Sequence, residues 1–501
     1  MISETRALQA PHGESLRLES IVQALSSRYV VVPGASHRVR RRRLDTFDQR
    51  LAGPGLTLEH QVVASAGRLV LSRADGSPTL TVPAEELRWP ALAGALPPGP
   101  VRDAVAPVTG IRALMVVADQ RRRVRSLALQ NQDHKTVARV ELNGPASPAS
   151  AAPTEVTLHP LRGYDASARR AALLLTGAGL LPLELAAPAP RQRPELHGDD
   201  PATVLLTTVL RGFLAAMGEN LPGLLDDVDT EFLHDFRVAV RRTRSVLKLG
   251  RPALPEVMRA RWEPTFKWLG DLTTPVRDLD VYELDLPRLE GWLVSADPAD
   301  LEAFATHLRS RRAAERQTLV RALRSARYRR LVAEWGEELS RLANAPGDAE
   351  RESLSAAQLG SRSIARAYRL VARGGGAIRA GSPAGDLHAL RKRCKELRYA
   401  LEVFAPVIDA TAGKRVIGDL KDLQDVLGRF QDSEVQRQAL RGFAEEMMAD
   451  GTPARAVLAM GELIGHLDAE QDRARQEFDG AFARFARPSS QQLMHRIGGG
   501  R

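Results

Sequence analysis

From residue 203 to residue 488, apolar side chains return every three or four positions in segments of helical length. The segments are 204–217, 233–249, 256–269, 300–343 with an internal break, 356–373, 386–404, 415–427, 434–448 and 453–482. NLPG at 220–223 and GGG at 374–376 read as breakers, and Ser382 with Pro383 as another. Residues 1–185 follow a different pattern. Short alternating or β-branched runs fall at 29–32, 57–63, 69–72, 79–82, 111–118, 123–129, 136–142 and 154–158. AGPG at 52–55 and PPGP at 97–100 punctuate them, and one helix is predicted over 166–176. The pattern predicts an α+β multidomain chain: an antiparallel, barrel-like sheet followed by an all-helical region. AAPAPRQRPELHGDDPA, at 186–202, reads as a proline-rich linker, and 489–501, ending in GGGR, as a disordered tail.

One helical segment repeats. In LHDFRVAVRRTRSVLKL, residues 233–249, a helical wheel puts His234, Arg237, Arg241, Arg244 and Lys248 on one arc. Leu233, Phe236, Val240, Thr243 and Leu247 take the neighbouring arc, so one face packs and a cationic stripe runs along its edge. LHALRKRCKELRYALEVF, residues 387–404, carries His388, Arg391, Lys395 and Arg398 at the same spacing, 154 residues later at every position. Asp278, Asp280 and Val281 of VRDLDV answer Asp432, Glu434 and Val435 of FQDSEV at the same separation. Two stripes and a second matched element at one offset indicate an internal duplication, with halves at about 203–345 and 350–488.

Composition narrows the partner. The chain has 501 residues, enough for two or three domains, and 44% hydrophobic content supplies their cores. A formal net charge of +10 suits a polyanion: nucleic acid, polyphosphate or an anionic membrane. Aromatics at 5% argue against single-stranded nucleic acid, whose binders stack bases on rings. The single cysteine, Cys394, excludes an intramolecular disulfide and fits a reducing compartment. No apolar leader opens the chain and no run of about 18 apolar residues occurs, so the expectation is a soluble, cytoplasmic protein with no membrane insertion.

Together LHDFRVAVRRTR, VRDLDV, LHALRKRCKELRYALEVF, LQDVLGRFQD and ALRSARYRRLVAEW resemble the CHAD domain over nearly all of 203–488. The resemblance implies two pseudo-symmetric four-helix bundles, whose basic surface binds inorganic polyphosphate and can associate with polyphosphate granules. By resemblance, His234, Arg237, Arg241, Arg242, Arg244 and Lys248 line one half of the site, and His388, Arg391, Lys392, Lys395 and Arg398 the other. One departure is visible: Gln431 stands where the first half has Arg277. The chemistry fits, since donors recur every helical turn of about 5.4 Å and arginine forks grip phosphate oxygens. Asp278 and Asp432 are expected to pair with neighbouring arginines and hold them extended; a metal site built with the histidines is the alternative.

RRRLDTFDQRLAGPGLTLEH, IRALMVVAD, TVARVEL and TEVTLHPLRG loosely resemble the CYTH domain of the triphosphate tunnel enzymes over about 170 residues. The E-x-E-x-K signature of those enzymes is missing; the candidate strand SLRLES offers only Glu19, and Glu59 and His60 follow the glycine–leucine pair where arginines are usual. The dense run Arg38, Arg40, Arg41, Arg42 and Arg43 is either a solvated face or an auxiliary polyanion contact. The leading expectation is therefore polyphosphate binding with no catalytic residue, metal or cofactor, beside a degenerate CYTH-like lobe. The alternatives are a metal-dependent triphosphate or polyphosphate hydrolase, and nucleic-acid binding by the same surface as a weaker polyanion.

Overall fold

A computed structural model describes residues 6–11, 18–75, 77–85, 87–146, 153–183, 195–344 and 354–498. The chain divides into two compact units, Met1–Arg191 and Gln192–Arg501. Most of the proposed linker lies outside the described residues.

The first unit is built on nine strands: β1 (Arg6–Gln9), β2 (Val30–Asp45), β3 (Leu56–Val63), β4 (Ala66–Arg73), β5 (Leu80–Pro83), β6 (Met115–Gln130), β7 (Thr136–Pro145), β8 (Glu155–Pro160) and β9 (Leu181–Pro182). They form one antiparallel sheet in the order β5-β4-β3-β2-β6-β7-β8-β1-β9. One face is apolar. Leu127, Val140, Val156 and Leu158 pack under α1 (Leu18–Ser26) and α3 (Asp165–Gly177). Leu44, Leu58, Leu69 and Leu71 pack under α2 (Pro100–Thr109). The other face is polar and strongly concave. Arg41 on β2 bonds Glu155 on β8 at 2.6 Å. A flat sheet would set those strands about 14 Å apart, so the sheet curls into a half-barrel with Arg41 inside.

Three expectations change here. SLRLES was read as a strand candidate, yet Leu18, Glu19 and Ser20 open a helix whose Ile21 and Leu25 are buried. The predicted runs at 111–118 and 123–129 are parts of one 16-residue strand. The arginine run belongs to β2, also 16 residues long; alternation sends Arg40 and Arg42 to one face, where Asp119 receives them, and Arg41 to the other, where Glu59 and Glu155 do.

The second unit is helical. Its first half holds α4 (Ala202–Leu225), α5 (Thr230–Leu249), α6 (Glu256–Glu290), α7 (Glu302–Leu323) and α8 (Ala326–Asn344). The second half holds α9 (Ala356–Ala377), α10 (Ala384–Val403), α11 (Ala410–Ala449), α12 (Ala454–Phe485) and α13 (Pro488–Gly498). The duplication appears in burial: Leu233, Phe236, Val240, Thr243, Val246 and Leu247 of α5 are buried, and so are Leu387, Leu390, Cys394, Leu397, Ala400 and Leu401 of α10, each 154 positions on. Asp229 caps α5, accepting from the Glu231 and Phe232 amides at 3.0 and 3.3 Å. A shared core of Leu279, Tyr282 and Phe304 with Leu440, Phe443 and Leu463 joins the halves.

VRDLDV and FQDSEV lie in the middle of α6 and α11, not in turns. α11 runs unbroken where two helices were predicted, because Leu427, Phe430 and Ser433 keep its buried face at three-residue spacing. NLPG, read as a breaker, lies within the last turns of α4, which runs on to Leu225. Gly223 is needed there, since a Cβ would lie 2.4 Å from the Phe232 ring. The tail is also helical as far as Gly498: Met494 and Ile497 are buried, and the Ser490 hydroxyl donates to Asp419 at 2.7 Å. Residues 499–501 lie outside the described residues. α4 is long and apolar enough to cross a membrane by length and composition. Here its Leu205, Leu206, Leu210 and Met217 are buried within the helical unit.

Candidate functional site

The stripes of α5 and α10 meet along the seam between the halves. Arg242 bonds Glu402 at 2.9 Å across it, and Lys248 reaches Glu396. Three clefts open there, and Arg241 lines all of them. Its guanidinium lies 5.6 Å from the centre of the Tyr399 ring. Tyr399 is thus a cation–π partner of the central arginine.

The most basic cleft, of about 990 Å³, is lined by nine cationic side chains against two carboxylates among the described residues. Arg241, Arg244, Lys248, Lys392 and Lys395 are the residues foreseen there. Arg251, Lys267, Arg362 and Arg366 were missed. Arg362 and Arg366 stand four apart on α9, a spacing visible in SRSIARAYR, but nothing in the sequence turned that helix toward the stripes. The second cleft, of about 840 Å³, gathers His234, Arg242, Arg391, Lys395 and Arg398 with Glu402, Asp425 and Asp432. His388 lines neither; it faces the third cleft together with Arg391.

The stripe residues therefore have different surroundings. Arg237 turns inward: its Nη1 donates to the Gly270 carbonyl at 3.1 Å, Thr273 Oγ1 at 3.1 Å and Thr274 Oγ1 at 2.7 Å. It braces α5 on α6 and lines none of the clefts, which corrects its placement in the site. Arg398 and Arg391 are held by Glu402 and Asp432 at 2.8 and 2.9 Å. Among the described residues no carboxylate is within ion-pair reach of Arg241, Arg244, Lys392 or Lys395. Lys395 shows the consequence. Burial, then the charges of Arg391 and Arg241, push its ammonium down to about 8.

The two halves also differ at their histidines. Burial and the nearby Arg277 hold His234 below the ordinary imidazole range, so it is a neutral donor at pH 7. In the second half Gln431 occupies the arginine position, and its Oε1 accepts from His388 Nδ1 at 2.6 Å. That bond leaves Nε2 as the outward nitrogen. Asp432 pairs with Arg391 as expected; Asp278 has no ion-pair partner among the described residues, although Arg237 and Arg277 act on it through space. Burial raises its carboxyl pKa above the usual range, against the pull of the two arginines. Burial pushes the Cys394 thiol up to about 12, as expected of a small buried apolar residue.

These features define a duplicated helical domain with a cationic trough along its seam. Residues 208–441 match the CHAD domain family, and the helical unit carries a CHAD domain. An uncharacterized protein of Mycobacterium tuberculosis is 27% identical over 264 residues, covering 50% of this chain and 48% of that protein. The chain thus spans about half the length of the curated relatives it matches. The CHAD domain from the plant Ricinus communis is similar in structure, with a TM-score of 0.49 and 24% identity over 60% of this chain and 96% of that one. HpAC1 from Hippeastrum, an adenylyl cyclase candidate with a dominant triphosphatase activity, is similar at a TM-score of 0.25 and 12% identity over 36% of this chain and 91% of that one.

Proposed function

We propose that the protein binds inorganic polyphosphate, without catalysis, along the trough where α5 meets α10. One observation carries this reading: Arg241 of the first half and Lys395 of the second share a cleft, and neither has a carboxylate partner among the described residues. Two cations brought together without counter-charge repel each other; burial first, then the charges of Arg391 and Arg241, hold the Lys395 ammonium down. A string of phosphates relieves that repulsion and releases its own condensed counterions. Arg244 and Lys392 extend the same run, while Arg391, Arg398, Arg242 and Lys248 exchange partly or fully exposed carboxylate partners for phosphate at small cost. His234 adds a directional N–H donor, while His388 gives its Nδ1–H to Gln431 and lines the third cleft. Asp278 and Asp432 complete the site as acidic neighbours of the arginines.

The N-terminal unit supports a scaffolding role. Arg41 bridges Glu59 and Glu155 on the concave face, so the carboxylates that could attend a triphosphate are already engaged. The setting that fits is the cytoplasm, at polyphosphate granules.

The test is binding of long-chain polyphosphate to the full chain at two salt concentrations, with wild type and Arg241→Ala/Lys395→Ala. The wild type should bind with a steep salt dependence, and the variant should lose most of the affinity. Unchanged affinity refutes the site. Phosphate release dependent on Mg²⁺ or Mn²⁺ refutes the non-catalytic assignment, and nucleic acid displacing polyphosphate at equal phosphate concentration refutes the ligand.

A further inference from the structure

The third cleft differs in chemistry from the other two. It encloses about 1060 Å³ between α6, α11 and α12, near the upper end of the roughly 300–1,000 Å³ common for small-molecule sites. Five arginines line it, but so do five carboxylates, so it offers a bare polyanion little net attraction. Its far wall is aromatic. The Trp292 and His466 rings stack with centroids 4.1 Å apart and planes 16° from parallel. The Arg288 guanidinium lies 4.9 Å from the Trp292 ring centre. Tyr282 and Phe443 continue this wall inward.

At its mouth the cleft shares Arg241, Arg391 and Asp432 with the cationic trough, so one ligand can reach both. Asp278 also opens into it, with no ion-pair partner among the described residues, and Gln436 lines it nearby. A carboxylate so placed accepts hydrogen bonds from amino or hydroxyl groups and repels phosphate. The complementary ligand thus carries phosphates at one end, and a flat ring with amino and hydroxyl donors at the other.

We infer that the helical unit takes nucleoside polyphosphates as well as inorganic chains. Their phosphates lie on Arg241 and Arg391, and a purine base and ribose enter the cleft toward Trp292 and His466, offering N–H and O–H groups to Asp278. The inference rests on the reading of Arg241 and Arg391 as phosphate contacts.

The experiment compares ATP with inorganic tripolyphosphate, without divalent metal, by calorimetry on the full chain. Charge alone would favour tripolyphosphate, which is the more anionic of the two. Base stacking should reverse the order and make ATP bind about tenfold tighter. Val435→Trp fills the cleft from an exposed position on α11, and Trp292→Ala removes its ring wall. Each should abolish the ATP advantage and leave tripolyphosphate affinity within about twofold. If tripolyphosphate binds and ATP binds no tighter, the base subsite is wrong and the polyphosphate reading stands. If the ATP advantage survives both variants, the base lies elsewhere and the inference fails. If neither ligand binds, the polyphosphate reading falls, and the subsite with it.

Discussion

β2 and α5 are both rich in arginine, and they use it in opposite ways. On β2, Arg41 is clasped by Glu59 and Glu155, and Arg40 and Arg42 both reach Asp119. On α5, Arg241 and Arg244 face a cleft with no ion-pair partner among the described residues. The difference lies in where the carboxylates fall, not in how many cations there are. An antiparallel sheet sets a neighbour about 4.8 Å to each side, so an acidic residue across the ladder neutralises its arginine at once. A helix pair leaves a groove between stripes, and cations from both walls face into it together.

The comparison breaks most directly if the wrong arginines matter for binding. Arg241→Ala with Lys395→Ala should weaken polyphosphate binding by about 3 kcal/mol, since each charged hydrogen bond contributes roughly 1.5–3 kcal/mol. Arg40→Ala should leave it within about twofold. Equal losses in a titration would show that the sheet's arginines bind too, and the contrast would be void.

The next effect is on folding. Replacing Arg41 with Met strands Glu59, while Glu155 keeps Arg122 and Asn143, and should destabilise the N-terminal unit by about 1–2 kcal/mol, less than a fully buried pair because water still reaches the site. Adding Glu59→Gln should recover part of that loss in chemical denaturation, with Glu155 left to balance the buried Arg122. No recovery would mean that the ion pairs are not what curls the sheet.

A smaller effect comes from protons. Below pH 8 Lys395 carries its charge; above it the amine is neutral, so polyphosphate affinity should fall by up to about tenfold between pH 7 and 9.5. The complex restores the proton, so binding near pH 8.5 should take protons up from the buffer. For folding the sign is opposite: a lysine depressed in the native state makes the protein gain stability as pH rises from about 8 towards the unfolded value near 10.5. Lys395→Arg should flatten the binding profile, and a profile that stays steep assigns it to another group.

The smallest effect sharpens the picture. Glu402→Gln frees Arg242 and Arg398 from a shared carboxylate and should raise affinity by about two- to fivefold, the scale of exposed ion pairs. A decrease would show that Glu402 positions those arginines for the ligand.

Much of the helical unit could be read before folding. The apolar period located nearly every helix, the constant offset of 154 residues predicted the duplicated stripes, and the buried faces beneath them repeat at the same offset in the structure. The sheet was less legible. Strand β2 was recognised only at its start, because Arg38 and the four consecutive arginines at 40–43 carry no apolar alternation; the carboxylates that pair with Arg40, Arg41 and Arg42 sit on β3, β6 and β8. The helix α1 was misread as a strand, since only a few apolar residues mark its buried side.

What the chain by itself determined is local and periodic: which segments are helical, which face of each is apolar, and which residues are cationic and repeated. Only the tertiary structure decided which of those cations are available. Arg237 and Arg241 stand one turn apart on the same stripe, yet one is anchored by a carbonyl and two hydroxyls from α6 and the other opens into three clefts. The physical reason is that helical spacing fixes where a side chain starts, while its hydrogen-bond partner arrives from residues more than thirty positions away. Pattern therefore reaches as far as the surface of each helix, and packing determines what faces it.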